Sequence, residues 1–262
     1  MKLILKIKYD GHGYAGYQSQ PDMPSVQGTL TEALSKALGQ RCSVTGCSRT
    51  DAGVHALGFV AAVEPVGEHD TDWLKIPIGK VHRAAARYLP PDIAIVGEAE
   101  ADKDFHPRYS VVSKEYVYRM IDSPAADPFL AHRAWHLKRR LSDDGIARMN
   151  ACAEYIVGRR DFSSFMAAGS KITDAVREVY SLEVKRRGDF IELRISADGF
   201  LYNMVRIITG TLTDCAAGTM DPAEIADIIA AKDRTRAGKT APPDGLYLAQ
   251  VRYPYEIPWR IE

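Results

Sequence analysis

In "LILKIKY", residues 3–9, Leu3, Leu5, Ile7 and Tyr9 alternate with Ile4, Lys6 and Lys8. A period of two predicts a β-strand with one buried face. From Ser25 the period changes, and Leu30, Ala33, Leu34, Ala37 and Leu38 recur at helical spacing until Gly39 offers a stop. "GCSRTDAGV", residues 46–54, then predicts a glycine-bounded turn, and "HALGFVAAV" a strand of small and β-branched residues. The polar run 64–72 predicts a loop. In 73–89 the helical period sits at the far end (Val81, Ala84, Ala85, Tyr88), and Pro90 and Pro91 close it.

Further on, "KEYVYRMI" predicts a strand with Tyr116, Tyr118 and Met120 on one side and Val117, Arg119 and Ile121 on the other. Ser142 caps a helix whose apolar positions are Ile146, Met149, Ala153, Ile156 and Val157, ending at Gly158. Residues 179–197 predict a hairpin turning at Arg187-Gly188-Asp189. In "GFLYNMVRIITGTLTDCAAG" a helix has Met204, Ile207, Ile208 and Leu212 on its apolar face, with Asn203, Arg206 and Gly210 on another. Asp221, Pro222 and Glu224 signal the start of a further helix, and a turn-rich loop from Gly238 leads into a last strand.

Strands and helices mix without the regular alternation of a doubly wound sheet, so the class is α+β with mostly antiparallel strands. At 262 residues two domains are expected. The acidic stretch "GEAEADKD" is the candidate boundary, giving 1–104 and 105–262.

Lys plus Arg equals Asp plus Glu at 34 each, so any nucleic-acid binding must come from local basic clusters, not a global field. Such clusters stand at 138–140, 159–160, 185–187 and 232–239; ordinary solvated surface charge is the alternative for each. The N-terminal segment interleaves lysines with apolar residues, unlike a signal peptide, and apolar runs fall far short of a membrane span. A cytoplasmic protein is expected. Cys42, Cys47, Cys152 and Cys215 form no C-x-x-C pair and are expected as free thiols. His132 and His136 have metal-ligand spacing, but no local cysteine or carboxylate pattern joins them, so no metal site is assigned.

"GHGYAG", with Gly11, Gly13 and Gly16, matches the glycine pattern of a dinucleotide-binding turn and follows a strand. That reading needs a helix immediately afterwards, and Pro21 and Pro24 stand where it would run. A glycine-rich bend is the better description. Ser48 and Asp51 have the spacing of a capping box, but Gly53, Gly58 and Val54 disfavour the helix it would start. Asp51 on a tight turn with small neighbours is placed like a nucleophile, although aspartates also favour turns for their own hydrogen bonding.

"GCSRTDAGVHA" resembles the signature loop of the tRNA pseudouridine synthase A family. In chain order "IKYDGHGYAGYQSQ", "KEYVYRM", "DFSSF", "FLYNMVRIITGTL", "AAKDRT" and "DGLYLAQVRYP" support the resemblance across nearly the whole chain. It implies two ferredoxin-like domains with mostly antiparallel sheets joined around a central cleft, the pseudouridine synthase fold. It also implies conversion of uridine to pseudouridine at positions 38, 39 and 40 of the tRNA anticodon arm. By the same resemblance the enzyme is a homodimer using no metal, organic or nucleotide cofactor.

The motif positions make Asp51 the catalytic residue and Arg49 a holder of flipped RNA. Tyr116 would stack on the target base, Arg206 would pair with the aspartate, and Leu246 would form an apolar wall of the pocket. Tyr17, Tyr202 and Asn203 depart from residues frequent in relatives, which bears on substrate detail more than on chemistry. A carboxylate could act by attack on C1′ or C6, or by removing a ribose proton; each route needs it ionised, and a guanidinium neighbour would favour that form. Two rivals remain at this stage. One is an RNA-binding protein without catalysis, and the other is the nicotinamide enzyme suggested by "GHGYAG".

Overall fold

The computed structural model describes residues 2–67, 73–170 and 172–261, so the loop expected over 64–72 lies outside the described residues from 68 onward. The chain folds as two units: residues 1–112 with 248–262, and residues 113–247.

The first unit opens with β1 (Lys2–Tyr9), α1 (Val26–Leu38), β2 (Cys42–Gly46), β3 (His55–Pro65), α2 (Val81–Ala85) and β4 (Ile93–Ala101). β1 lies antiparallel between β3 and β4, and β2 pairs antiparallel with the far edge of β3. The β-α-β-β-α-β succession in strand order β4-β1-β3-β2 is the ferredoxin-like arrangement.

Alternation along β1 works on both faces. Leu3, Leu5 and Ile7 are buried on one, and Ile4 joins Ala62, Ala99, Ala101, Phe105 and Ile257 in a second apolar cluster. That cluster explains the extent of the unit. Phe105 packs against Tyr253 with ring centroids 5.0 Å apart, tying residues beyond β4 and the C-terminal tail to the same core. The acidic stretch from Gly97 is mostly the end of β4, and Glu98 is fully buried. Its carboxylate accepts from the backbone N–H groups of Gly79, Val81 and His82, capping α2. The chain leaves the unit later, after Val112.

Both ends of α1 follow the sequence signals. Ser25 accepts from the Gly28 N–H, and Gly39 takes the left-handed conformation after Leu38. α2 is shorter than its pattern suggests: only Val81 and Ala85 are buried, and Tyr88 points to solvent.

The second unit contains β5 (Ser113–Ile121), β6 (Trp135–His136), α3 (Asp143–Ile156), β7 (Gly158–Asp161), β8 (Val176–Arg187), β9 (Phe190–Ala197), α4 (Met204–Ala216) and α5 (Glu224–Ala231); β10 (Leu246–Arg252) starts here and carries the chain back to the first unit. Strands β5, β9, β8 and β7 are successive antiparallel neighbours, and β6 runs parallel to β5. The order β5, α3, β8, β9, α4 repeats the succession seen in the first unit, with β7 added. Asp221 and Glu224 form a reciprocal capping box, with Asp221 N–H donating to the Glu224 carboxylate and Ala223 N–H to that of Asp221. α4 is buried nearly all round: Val205, Thr209, Gly210 and Thr211 are covered as well as its apolar face.

No described helix is long and apolar enough to cross a membrane. All four cysteines are free and buried.

Candidate active site

Asp51 stands in the turn joining β2 to β3, half-buried, with Arg49 exposed two residues earlier. The Asp51 carbonyl accepts from Val54 N–H at 3.1 Å, and Gly53 takes φ +78° to close the turn. No helix starts here; the chain goes directly into β3 at His55.

The glycine-rich bend packs against this turn. Tyr17 N–H donates to the Thr50 carbonyl at 3.0 Å. The hydroxyls of Tyr9 and Thr50 lie 2.8 Å apart, both buried. Gly11 N–H donates to His55 Nδ1 at 3.0 Å, with Asp10 Oδ1 3.1 Å from the same nitrogen. Accepting from Gly11 requires a bare Nδ1, so the Asp10 contact is an ion pair only when the ring is protonated. No helix follows "GHGYAG" until Val26, the arrangement expected of a bend and not of a dinucleotide site.

Tyr116, Arg206 and Leu246 belong to the second unit. Tyr116, on β5, is 6% exposed and meets Phe200 edge-on at 5.0 Å. Tyr118, on the same face, is fully buried and donates its hydroxyl to the Pro242 carbonyl at 2.7 Å. Burial pushes the Tyr118 phenol well above its usual pKa, with the nearby Arg206 charge opposing.

Arg206 sits in the first turn of α4. Its Nε donates to the Ala241 carbonyl at 2.8 Å and its Nη1 to Asn203 Oδ1 at 2.6 Å; Ala241 N–H returns a bond to the Arg206 carbonyl at 3.1 Å. The guanidinium plane is therefore fixed by its own unit. Asn203 reaches it from a left-handed backbone, φ 59°, which asparagine tolerates better than most residues. Leu246 is buried at the start of β10, just after the turn 243–245.

The paired histidines have separate partners. His132 lies in a turn against Asp244, and His136, in β6, has Nε2 2.9 Å from the Ser123 carbonyl. Neither lies in a helix, so their i, i+4 spacing does not place them on one helix face.

Asp51 and Arg206 are candidates from the sequence, whereas the anchoring parts of Tyr9, Thr50 and His55 around the Asp51 turn and of Asn203 against Arg206 are not apparent there. The available signals were indirect. Thr50 and His55 bracket the aspartate in the motif, and Asn203 precedes a helix at a position suited to a left-handed residue.

A family model described as tRNA pseudouridine synthase matches residues 151–254. Over 253 residues the chain is 44% identical to tRNA pseudouridine synthase A of Ruminiclostridium cellulolyticum, covering 96% of this chain and 99% of the relative. It is 41% identical over 255 residues to tRNA pseudouridine synthase A of Bacillus subtilis, covering 97% and 99%. To tRNA pseudouridine synthase A of a Thermoanaerobacter species it is 40% identical over 251 residues, covering 96% and 99%.

Proposed function

Because the chain belongs to the tRNA pseudouridine synthase A family, a family of isomerases, we propose that it converts uridine to pseudouridine in tRNA, with Asp51 as the catalytic carboxylate. The targets are uridines 38, 39 and 40 of the anticodon arm, and the enzyme works as a cytoplasmic homodimer. The N-terminal domain supplies the aspartate, and the C-terminal domain the tyrosine and arginine.

One observation carries the reading: Asp51 lies on a turn anchored on both sides by backbone and side-chain bonds, half-exposed next to an exposed arginine. A carboxylate carried on a backbone so held has less positional freedom to lose on entering the reaction. The reaction breaks the bond between uracil N1 and ribose C1′, turns the base and rejoins it through C5, with no redox step. A stacked uridine must first be swung out, at a cost of a few kcal/mol. Stacking on Tyr116 returns about 1–3 kcal/mol. Arg49 holds the displaced RNA, Leu246 offers an apolar surface to the target base, and Arg206 supplies the fixed cation that favours an ionised carboxylate.

The test uses tRNA tritiated at uridine C5. Wild-type protein releases tritium, while Asp51→Ala binds tRNA but releases none. Release by Asp51→Ala at the wild-type rate overturns the assignment.

A further inference from the structure

We propose that the segment from Tyr9 to Tyr17 is the positioning element of the Asp51 turn, with the Tyr9–Thr50 hydroxyl pair setting the carboxylate's place. This inference rests on the reading of Asp51 as the catalytic residue. Its grounds are the contacts that converge on both sides of that residue.

On the upstream side, Thr50 is held twice. Its hydroxyl lies 2.8 Å from Tyr9 Oη, and its carbonyl accepts from Tyr17 N–H. Thr50 is 7% exposed and Tyr9 4%, so neither hydroxyl exchanges its partner freely for water. On the downstream side, His55 is 2% exposed and accepts from Gly11 N–H. Asp51 thus lies between two buried anchors that both reach the same segment.

The glycines make the close approach possible. A methyl on Gly11 would lie 2.0 Å from the Val54 carbonyl oxygen. One on Gly16 would lie 2.7 Å from the Thr50 carbonyl oxygen and 3.3 Å from the Asp51 carbonyl carbon, and Gly16 has φ +113°. Two of the three glycines that imitate a nucleotide fingerprint are therefore spent on backbone-to-backbone contact with the turn. Gly13 meets nothing within 4 Å and has no such part.

A loop residue doing chemistry must be held to within about 0.5 Å of its productive position, and a displacement of about 1 Å costs on the order of a hundredfold in rate. Thr50 is bonded to Asp51 in the chain. A change at the Tyr9–Thr50 contact therefore reaches the carboxylate through one peptide unit.

The experiment measures single-turnover rate, tRNA Kd and Tm for Thr50→Val, Tyr9→Phe, the double variant and Thr50→Ser, with Asp51→Asn alongside. The expected result is that each of Thr50→Val and Tyr9→Phe turns over about ten- to a hundredfold more slowly with Kd unchanged. The double variant is no slower than the worse single, because both remove one contact. Thr50→Ser, which keeps the hydroxyl, recovers most of the rate. A purely structural contact would lower Tm and leave the rate of the folded enzyme alone. Folded Thr50→Val turning over at the wild-type rate, or losses that multiply in the double variant, would overturn the positioning role. If Asp51→Asn is inactive in that case, the catalytic assignment survives. An active Asp51→Asn defeats the catalytic assignment and this inference together.

Discussion

The Tyr118 hydroxyl donates to the Pro242 carbonyl at 2.7 Å, two residues along the strand from Tyr116, whose ring meets Phe200 edge-on. Two tyrosines that share a face in the sequence are thus separated by what their ends touch. Tyr118→Phe leaves a carbonyl without its donor and is expected to lower stability by about 1 kcal/mol, read as a drop in denaturation midpoint at unchanged m. Its single-turnover rate should stay within a few-fold of wild type. On the proposed stacking role, Tyr116→Phe should keep tRNA affinity and impair product formation. Equal loss of binding and product would leave Tyr116 only a platform.

Arg206 is fixed through two different nitrogens, Nε to Ala241 and Nη1 to Asn203. A lysine keeps the charge but places it on one atom at the end of a flexible stem, and cannot hold both acceptors in one plane. Arg206→Lys should slow turnover at least tenfold with the fold intact by circular dichroism. A near-normal rate would mean that charge alone suffices.

How far the sequence reveals these arrangements depends on whether the signal is local. Ser25, Gly39, Ser142 and the Asp221–Glu224 box mark helix ends by chemistry that acts within a few residues, and all four are realised. β2 and β7 left little trace: β2 buries only Cys42 and Val44, and Gly158–Asp161 contains no apolar residue at all. β7 exists because β8 pairs with it. Glu98 reads as a solvated charge in an acidic run, yet it is fully buried and satisfied by three backbone donors at Gly79 and the first two residues of α2. The long-range anchors of the site are equally silent in the chain, because Tyr9 and Thr50 are forty-one positions apart. The candidacy of Asp51 rests on two local signals, its glycine-flanked turn and the motif around it.

Tyr17 stacks on Phe59 with centroids 4.2 Å apart, and its hydroxyl is buried with no hydrogen-bond partner among the described residues. Burial accordingly pushes its pKa far up. Tyr17→Phe keeps the stack and removes the stranded polar atom, so it should stabilise the protein by about 1 kcal/mol. A lower Tm in the variant would show that the hydroxyl is satisfied in solution.

Asp161 accepts from the Ser163 hydroxyl and N–H and pairs with Lys232 at 2.7 Å, which lowers its pKa from 3.8 to about 2, the Lys232 bond being the largest cause. A depressed folded-state pKa contributes stability that is fully present above the unfolded value and is lost as pH falls through the folded one. Asp161→Asn should therefore be less stable than wild type at neutral pH by on the order of 1 kcal/mol, after allowance for solvent screening. The gap should shrink below about pH 4 and vanish only below about pH 2. Denaturant titrations of both proteins across that range check it; a constant gap would place the effect outside ionisation.

Two sets of basic residues in the second unit differ in their partners. Lys185, Arg186 and Arg187 are engaged by Glu183, Asp122 and Glu192, and Asp122 takes Arg186 through both oxygens at 2.9–3.0 Å. Lys138, Arg139, Arg159 and Arg160 are exposed and, among the described residues, in no ion pair. The second set can meet phosphate without first giving up a carboxylate. Each phosphate contact adds about one unit to the slope of log affinity against log salt. Neutralising Arg139 or Arg159 to Gln should therefore weaken tRNA binding and flatten that slope by about one, with Tm unchanged. Arg186→Gln should do the reverse, lowering Tm because Asp122 is left 7% exposed without its partner, while the slope stays where it was. A salt slope that responds equally to Arg139 and Arg186 would mean that the carboxylate pairs open when RNA binds.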